Sequence, residues 1–440
     1  MTSATEKHLE VFLADSHAGQ LIMSRHGELS FVYDSTYRGP DLSLAMPFST
    51  EEYRGKRVLA WFDNLLPDNT QVRQGMADEA GSSTGVFPLL ARFGLDLPGA
   101  VQVVDPDELP SLLGLPRAYV QLTPEQVGER LCKLVEDEDR QRARAWTQSE
   151  EHWSLGGMQS KIALRRFNDS WYECVGASAS NIIVKPGAWG LEGQAIVEFI
   201  TMRLAKRCGL PCASVALTKF GAMDAIVIDR YDRYTAPDSG NVTRIHQEDL
   251  CQATGTMPGG KYAADGGPSS IELIELLKGT EGNSLGRFID ALLFNYLTAS
   301  TDAHAKNYSL LHPAQGRSLL APLYDVASAA PFMKKGKTYR LAMSIGGENR
   351  VGWLRKSSIE RFAATHSLDV ASLANRTEEL ATLARKNLPL AVEDAGPQKG
   401  IERIAETLIP RIDALCSAAQ RNIRTDSKHF KPVDITRFGF

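Results

Sequence analysis

The apolar residues of this 440-residue chain change their period part-way along it, and that change limits the folds open to it. Strand side chains alternate between two faces, whereas a helix repeats a face every three to four residues. Short alternating runs occupy residues 8–13 and 19–23, split by Asp15 to Gly19 as in a hairpin, and 28–33 reads as another strand. Leu59, Phe62, Leu65 and Leu66 have helical spacing, ended by Pro67, and strand character returns over 100–104. Residues 8–104 thus read as a mostly β unit with helical insertions. The acidic and basic run 136–144 reads as a solvated helix or linker and is taken as the approximate boundary between residues 1–145 and 146–440. Beyond it come a glycine turn at 154–161 and β-like runs at 171–175, 181–185, 213–217 and 224–231. Between them lies a helix with Ile196, Ile200, Met202 and Leu204 apolar, stopped by Cys208-Gly209 with Pro211 just beyond. From about residue 247 helical periodicity dominates, except for a β-hairpin expected over 308–324.

Composition narrows the class further. Hydrophobic residues make up 43% and charged residues 23%, ordinary values for a globular chain with a real core. A net charge of −4 does not make a nucleic-acid footprint of the whole surface, so DNA contact requires a local patch or a partner. The basic residues Arg421, Arg424, Lys428 and Lys431 form such a patch, or simply a solvated terminus. No run reaches the ~18 apolar residues of a membrane span, and Met1 to His8 lacks the pattern of a signal peptide. The expectation is a cytoplasmic protein without a membrane partner. Of the six cysteines only Cys208 and Cys212 are close in sequence, and no second pair or His cluster completes a zinc site; they read as reduced, buried thiols.

The residues that carry chemistry lie in the second part. Asp302 is followed five residues later by Asn307, and Asp325 lies beyond the expected hairpin. Phosphoryl transfer from ATP uses this set: one carboxylate accepts the proton of the attacking hydroxyl, while an amide and a second carboxylate hold magnesium. A hairpin between Asn307 and Asp325 brings both to its base. The usual His-Arg before the first Asp and Phe-Gly after the second are missing. Gly156, Gly157, Met158, Gln159, Ser160 and Lys161 form a glycine-bearing loop able to approach phosphates, though taken alone a plain β-turn explains it better. Lys185 sits in an apolar strand and Glu198 lies 13 residues later on the next helix, the placement of a phosphate-binding lysine and its ion-pair partner. An edge-strand lysine and a glutamate favoured by the helix dipole explain the two equally well. Asp229, Arg230 and Tyr231 end a strand where a lobe crossover would bind adenine, or where a structural carboxylate would sit. His304 lacks other ligands at metal spacing.

Phe62 to Asp68 and Gly99-Ala100-Val101 come first in the chain. Ser154-x-x-Gly157-x-Gln159-x-Lys161 follows, then Gln247 to Gln252, Tyr262-x-x-Asp265-Gly266-Gly267-Pro268, Thr301 to Asn307, and Tyr324-Asp325. In that order, over almost the full length, the chain resembles the HipA family, serine/threonine kinase toxins of bacterial type II toxin–antitoxin modules. The resemblance implies an α+β fold. It consists of a two-lobed protein-kinase-like core (PI3/4-kinase-like) with an N-terminal β-rich subdomain and an all-helical C-terminal lobe. It implies ATP and Mg2+ as cofactors, Asp302 as catalytic base, and Asn307 and Asp325 as metal ligands. Lys185 is then the ATP-phosphate lysine and residues 156–161 the phosphate loop. Asp229, Arg230 and Tyr231 become the hinge, and His304, Ala305, Lys306 and Tyr324 line the nucleotide site. Ser154 becomes an autophosphorylated, self-inactivating serine. Met158 stands where family members carry a small residue, and Ser160 where they often carry Glu.

The same resemblance implies a HipB-like helix-turn-helix antitoxin, operator DNA contacted through that complex, and an aminoacyl-tRNA synthetase of glutamyl type as protein substrate. Two readings from other classes stay open: a catalytically silent binding or co-repressor subunit, and a small-molecule kinase. The intact Asp302, Asn307, Asp325 and Lys185 argue against the first, and transfer of phosphate to a metabolite would support the second.

Overall fold

The computed structural model describes residues 6–109, 118–145, 161–187, 190–425 and 429–439. An antiparallel five-stranded sheet opens it: β1 (Lys7–Leu13), β2 (Ser16–Met23), β3 (Leu29–Tyr33), β4 (Tyr53–Arg54) and β5 (Val101–Val104), in the order β4-β3-β2-β1-β5. Alternation places Leu9, Val11 and Leu13 in the core. The expected hairpin is present, but its turn is tighter than the sequence suggests: Ala14 and Asp15 alone make it, both with positive φ, 48° and 67°, as a two-residue turn between twisted strands demands. Helices α1 (Lys56–Asp63), α2 (Thr70–Ala80) and α3 (Val86–Phe93) cover the sheet. Trp61 and Phe62 of α1 are fully buried and Phe62 meets Phe31 with ring centres 6.0 Å apart. α1 ends at Asn64, before Pro67, and Asn69 caps α2 by accepting from the N–H groups of Gln71 and Val72.

A second sheet follows. It contains β6 (Ala118–Leu122), β7 (Ile162–Phe167), β8 (Ser170–Val175), β9 (Ile182–Lys185), β10 (Val215–Phe220) and β11 (Met223–Asp229), in the order β10-β11-β9-β7-β8-β6. Between β6 and β7 runs helix α4 (Pro124–Ala145), which buries Val127 and Leu131 against Leu164, Val184 and Phe220. A Cβ at Gly128 would lie 2.4 Å from the Phe220 carbonyl oxygen, so glycine is what lets helix and strand approach. The charge run at 136–144 therefore falls within a helix whose first turns, like β6 ahead of it, already belong to the second sheet. Helix α5 (Gln194–Arg207) lies under this sheet, buried on nearly all sides, and stops at Cys208 and Gly209 (φ 85°).

The ribbon β12 (Arg233–Thr235) and β13 (Val242–Arg244) leads into β14 (His246–Asp249) and the short helix α6 (Leu250–Ala253). Then come α7 (Ser270–Leu277), α8 (Ser284–Thr298), β15 (Ser309–His312), β16 (Leu319–Leu320), β17 (Arg340–Ile345), β18 (Glu348–Arg350), α9 (Lys356–His366), α10 (Val370–Glu393) and α11 (Ile401–Asn422). The fold is α+β and two-lobed, but the C-terminal lobe is helix-dominated, not all-helical. It contains the sheet β14-β15-β16 and the pair β17-β18. β14 carries no apolar alternation: its four residues are His, Gln, Glu and Asp, all buried. Polar groups partnered by the first unit, not hydrophobicity, hold it. Glu248 accepts from Ser43 Oγ (2.6 Å), Leu44 N (2.8 Å) and Trp61 Nε1 (3.1 Å). The main apolar core gathers around α8, with Phe288, Leu292 and Tyr296 in the same cluster as Leu380, Leu408, Ile412 and Leu415. Among the described residues no helix is long and apolar enough to cross a membrane.

Candidate active site

β9 ends at the site with Lys185, and α5 offers Glu198 from below. Lys185 Nζ donates to Glu198 Oε1 at 2.9 Å and to Asp325 Oδ1 at 2.5 Å. A buried ammonium needs such partners, because its desolvation is otherwise too costly. Burial works against the charge on Lys185, yet Asp325 and then Glu198 outweigh it and raise its pKa, so it stays charged. Burial likewise works to raise the pKa of Asp325, but Lys185 and Lys161 pull it below the usual carboxylate value. Glu198 is raised, by burial first, with Lys185 opposing and Asp325 adding to the rise. Asp325 has φ 56°, a left-handed conformation that Asp tolerates better than most residues.

The expected hairpin is present as β15–β16: Leu310 pairs with Leu320 and Leu311 with Leu319, with Asn307 two residues before its first strand and Asp325 five residues after its second. The Asn307 side chain donates to the Asp302 carbonyl at 2.8 Å, closing the loop on itself. Asp302 accepts from the Tyr262 hydroxyl at 2.5 Å. A small cavity lined by Gln194, Asn295, Ser300, Asp302, Ala303 and Asp325 joins the two carboxylates to α5. Tyr324 stacks on Tyr231, ring centres 5.2 Å apart, and its hydroxyl donates to the Lys306 carbonyl at 2.9 Å. Lys161 is an exposed residue whose ammonium nonetheless has a lowered pKa, through lost hydration and then the Lys185 cation.

Other expected residues sit differently. His304 and Ala305 are buried behind the loop. Neither His304 ring nitrogen has a hydrogen-bond partner among the described residues, and burial, then Lys261, lowers its pKa to about 3, so it is neutral. Arg230 is committed elsewhere: its guanidinium donates to Asp232, Ser180 and the Leu97 carbonyl. The N–H groups of Asp229 and Arg230 donate to the Ser214 and Asn181 carbonyls. Asp229 pairs with Arg166 at 3.3 Å. Ser154, Gly156, Gly157, Met158, Gln159 and Ser160 lie outside the described residues. Tyr262, Lys261 and Asp68 carry no signal of a role in the sequence, although Tyr262 and Asp68 stand within the motifs that resemble the family.

Among the described residues no three His, Cys, Asp or Glu side chains gather as a metal cluster. The expected pair, one amide and one carboxylate, suits a hard ion that takes its remaining ligands from phosphate and water, as magnesium does. A buried lysine–glutamate pair, a loop bearing Asp and Asn, and a second Asp at the base of a hairpin define a protein-kinase-like phosphotransferase. The HipA-like C-terminal domain model matches residues 153–389 and the HipA N-terminal domain model residues 9–104. The protein Y4mE of Sinorhizobium fredii (strain NBRC 101917 / NGR234) is 31% identical over 398 residues, 89% of this chain and 93% of that one. The serine/threonine-protein kinase toxin HipA of Shewanella oneidensis strain MR-1 is 29% identical over 79% of this chain and 81% of its own. A solved complex of HipA, HipB and operator DNA from Shewanella oneidensis MR-1 contains a similar fold. The TM-score is 0.80 at 24% identity, over 95% of this chain and 100% of that one. The chain belongs to the HipA family of kinases.

Proposed function

We propose that the chain is an ATP- and Mg2+-dependent serine/threonine-protein kinase, the toxin of a HipA/HipB-like module. The single observation that carries this reading is Lys185 held between Glu198 and Asp325. Such a lysine is charged, and it would offer its ammonium to the phosphates of a bound nucleotide. Asn307 and Asp325 would hold Mg2+, which neutralises the charge developing on the transferred phosphoryl group. Asp302, oriented by the Tyr262 hydroxyl, accepts the proton of the attacking serine hydroxyl. Tyr231 and Tyr324 give the purine an aromatic wall.

Phosphate on Ser154 adds about −1.5 to −2 charges beside a loop that must receive ATP, so phosphorylation switches the kinase off. The protein substrate is an aminoacyl-tRNA synthetase of glutamyl type in the cytoplasm. The partner is a HipB-like antitoxin that brings the complex to operator DNA, where the chain acts as co-repressor. The test is incubation with labelled ATP alone. We expect label on Ser154 that is lost in Asp302→Ala, and tight ATP binding only by the unphosphorylated form. Label appearing on a metabolite, with none on protein, overturns the reading in favour of a small-molecule kinase. No transfer at all overturns it in favour of a silent subunit.

A further inference from the structure

The segment from Phe62 to Asp68 belongs to the first unit, yet it reaches the loop that carries Asp302. Asp68 Oδ1 accepts from Lys306 Nζ at 2.5 Å and Oδ2 from Lys261 Nζ at 3.0 Å, with all three side chains largely shielded from solvent. Lys306 immediately precedes Asn307, and Lys261 immediately precedes Tyr262, whose hydroxyl meets Asp302. The two lysine-bearing segments also touch directly, since Ala305 N donates to the Lys261 carbonyl at 3.4 Å. Without Asp68 the two ammonium groups would lose the carboxylate they share, and the repulsion between their segments would no longer be offset there.

We propose that Asp68 is a positioning residue of the kinase: its carboxylate clamps the segments of Asn307 and Tyr262 together, so the first unit is part of the catalytic apparatus and not an appendage. This rests on the phosphotransfer reading above. A structural tether alone would behave differently, and the same segment supplies the control. Asn64 donates to the Thr256 carbonyl at 2.8 Å across the same junction, and its side-chain amide bonds only backbone carbonyls among the described residues.

Asp68→Asn keeps the shape and removes the charge. We expect it to lower kcat for Ser154 labelling about 10- to 100-fold while KM for ATP moves less than about threefold, the mark of lost positioning and not lost binding. Asp68→Glu should recover part of the loss. Asp68→Asn and Lys261→Gln combined should cost less than the sum of their separate effects. Asn64→Ala should lower the melting temperature and leave kcat within about twofold. A readout independent of turnover is amide hydrogen exchange over residues 301–307, expected to speed up at least about tenfold in Asp68→Asn and not in Asn64→Ala. Unchanged kcat and exchange in Asp68→Asn would overturn the proposal, as would equal losses of kcat in both variants. If the wild-type chain transfers no phosphate, the kinase reading fails and the exchange measurement alone decides the clamp.

Discussion

Two buried ion clusters make different use of their partners. In the first, at the junction of the units, Arg233 spends its whole guanidinium: Nε on the Ser180 carbonyl, Nη1 on Gly99 and Asp232, Nη2 on Asp96 and Leu97. Asp232 also receives Arg230 and the Gly99 N–H. In the second, Lys185 bridges two carboxylates, one of which, Asp325, lines a cavity and sits in a left-handed backbone conformation. A network closed on itself is architecture. On the proposed reading, a network with one member facing a cavity is poised to exchange a partner during catalysis.

The contrast can be broken in both directions. Asp232→Asn leaves buried guanidiniums short of a counter-charge and should cost about 3–5 kcal/mol of stability, read by urea unfolding. Its kcat should stay within about twofold where both proteins are folded; a large kcat loss at preserved stability would erase the distinction. Lys185→Met should do the reverse, lowering kcat about 10²- to 10³-fold, or about 3–4 kcal/mol of barrier, in the labelled-ATP assay. A third test uses His246, buried near this junction, with burial and then His312 lowering its pKa to about 3. The folded protein then binds fewer protons than the unfolded chain between about pH 3 and the free-histidine value. Stability therefore falls as pH drops below about 6.5, by about 2 kcal/mol at pH 5. His304, held at about 3 within the site, adds a similar amount. His246→Gln should flatten this acid limb in melts taken from pH 7 to 5, and an unaltered limb would show that His246 is charged in the fold. The smallest effect is expected for Tyr262→Phe, about a tenfold fall in kcat from one lost charge-assisted hydrogen bond.

The site was legible where chemistry and local spacing coincide. Lys185 and Glu198 are one strand-to-helix step apart, and of the two readings the sequence left open for them the structure shows the ion pair; Asn307 and Asp325 flank a single hairpin that the strand pattern predicts. Partners distant in sequence were not legible. Asp68 meets Lys261 and Lys306 across more than 190 residues, and the Arg230 guanidinium is engaged by Asp96 and Asp232. β14 was missed because its stability comes from polar contacts with the first unit, which leave no hydrophobic period to read.

The Asp68 contact has a consequence in time. Asp68 and Lys306 lie 238 residues apart, and chains grow at roughly 5–20 residues per second, so roughly 10–50 s of synthesis separate the two groups. The first unit can complete its sheet long before the loop it clamps exists. On the clamp proposal, a nascent chain stays harmless until most of it has been made.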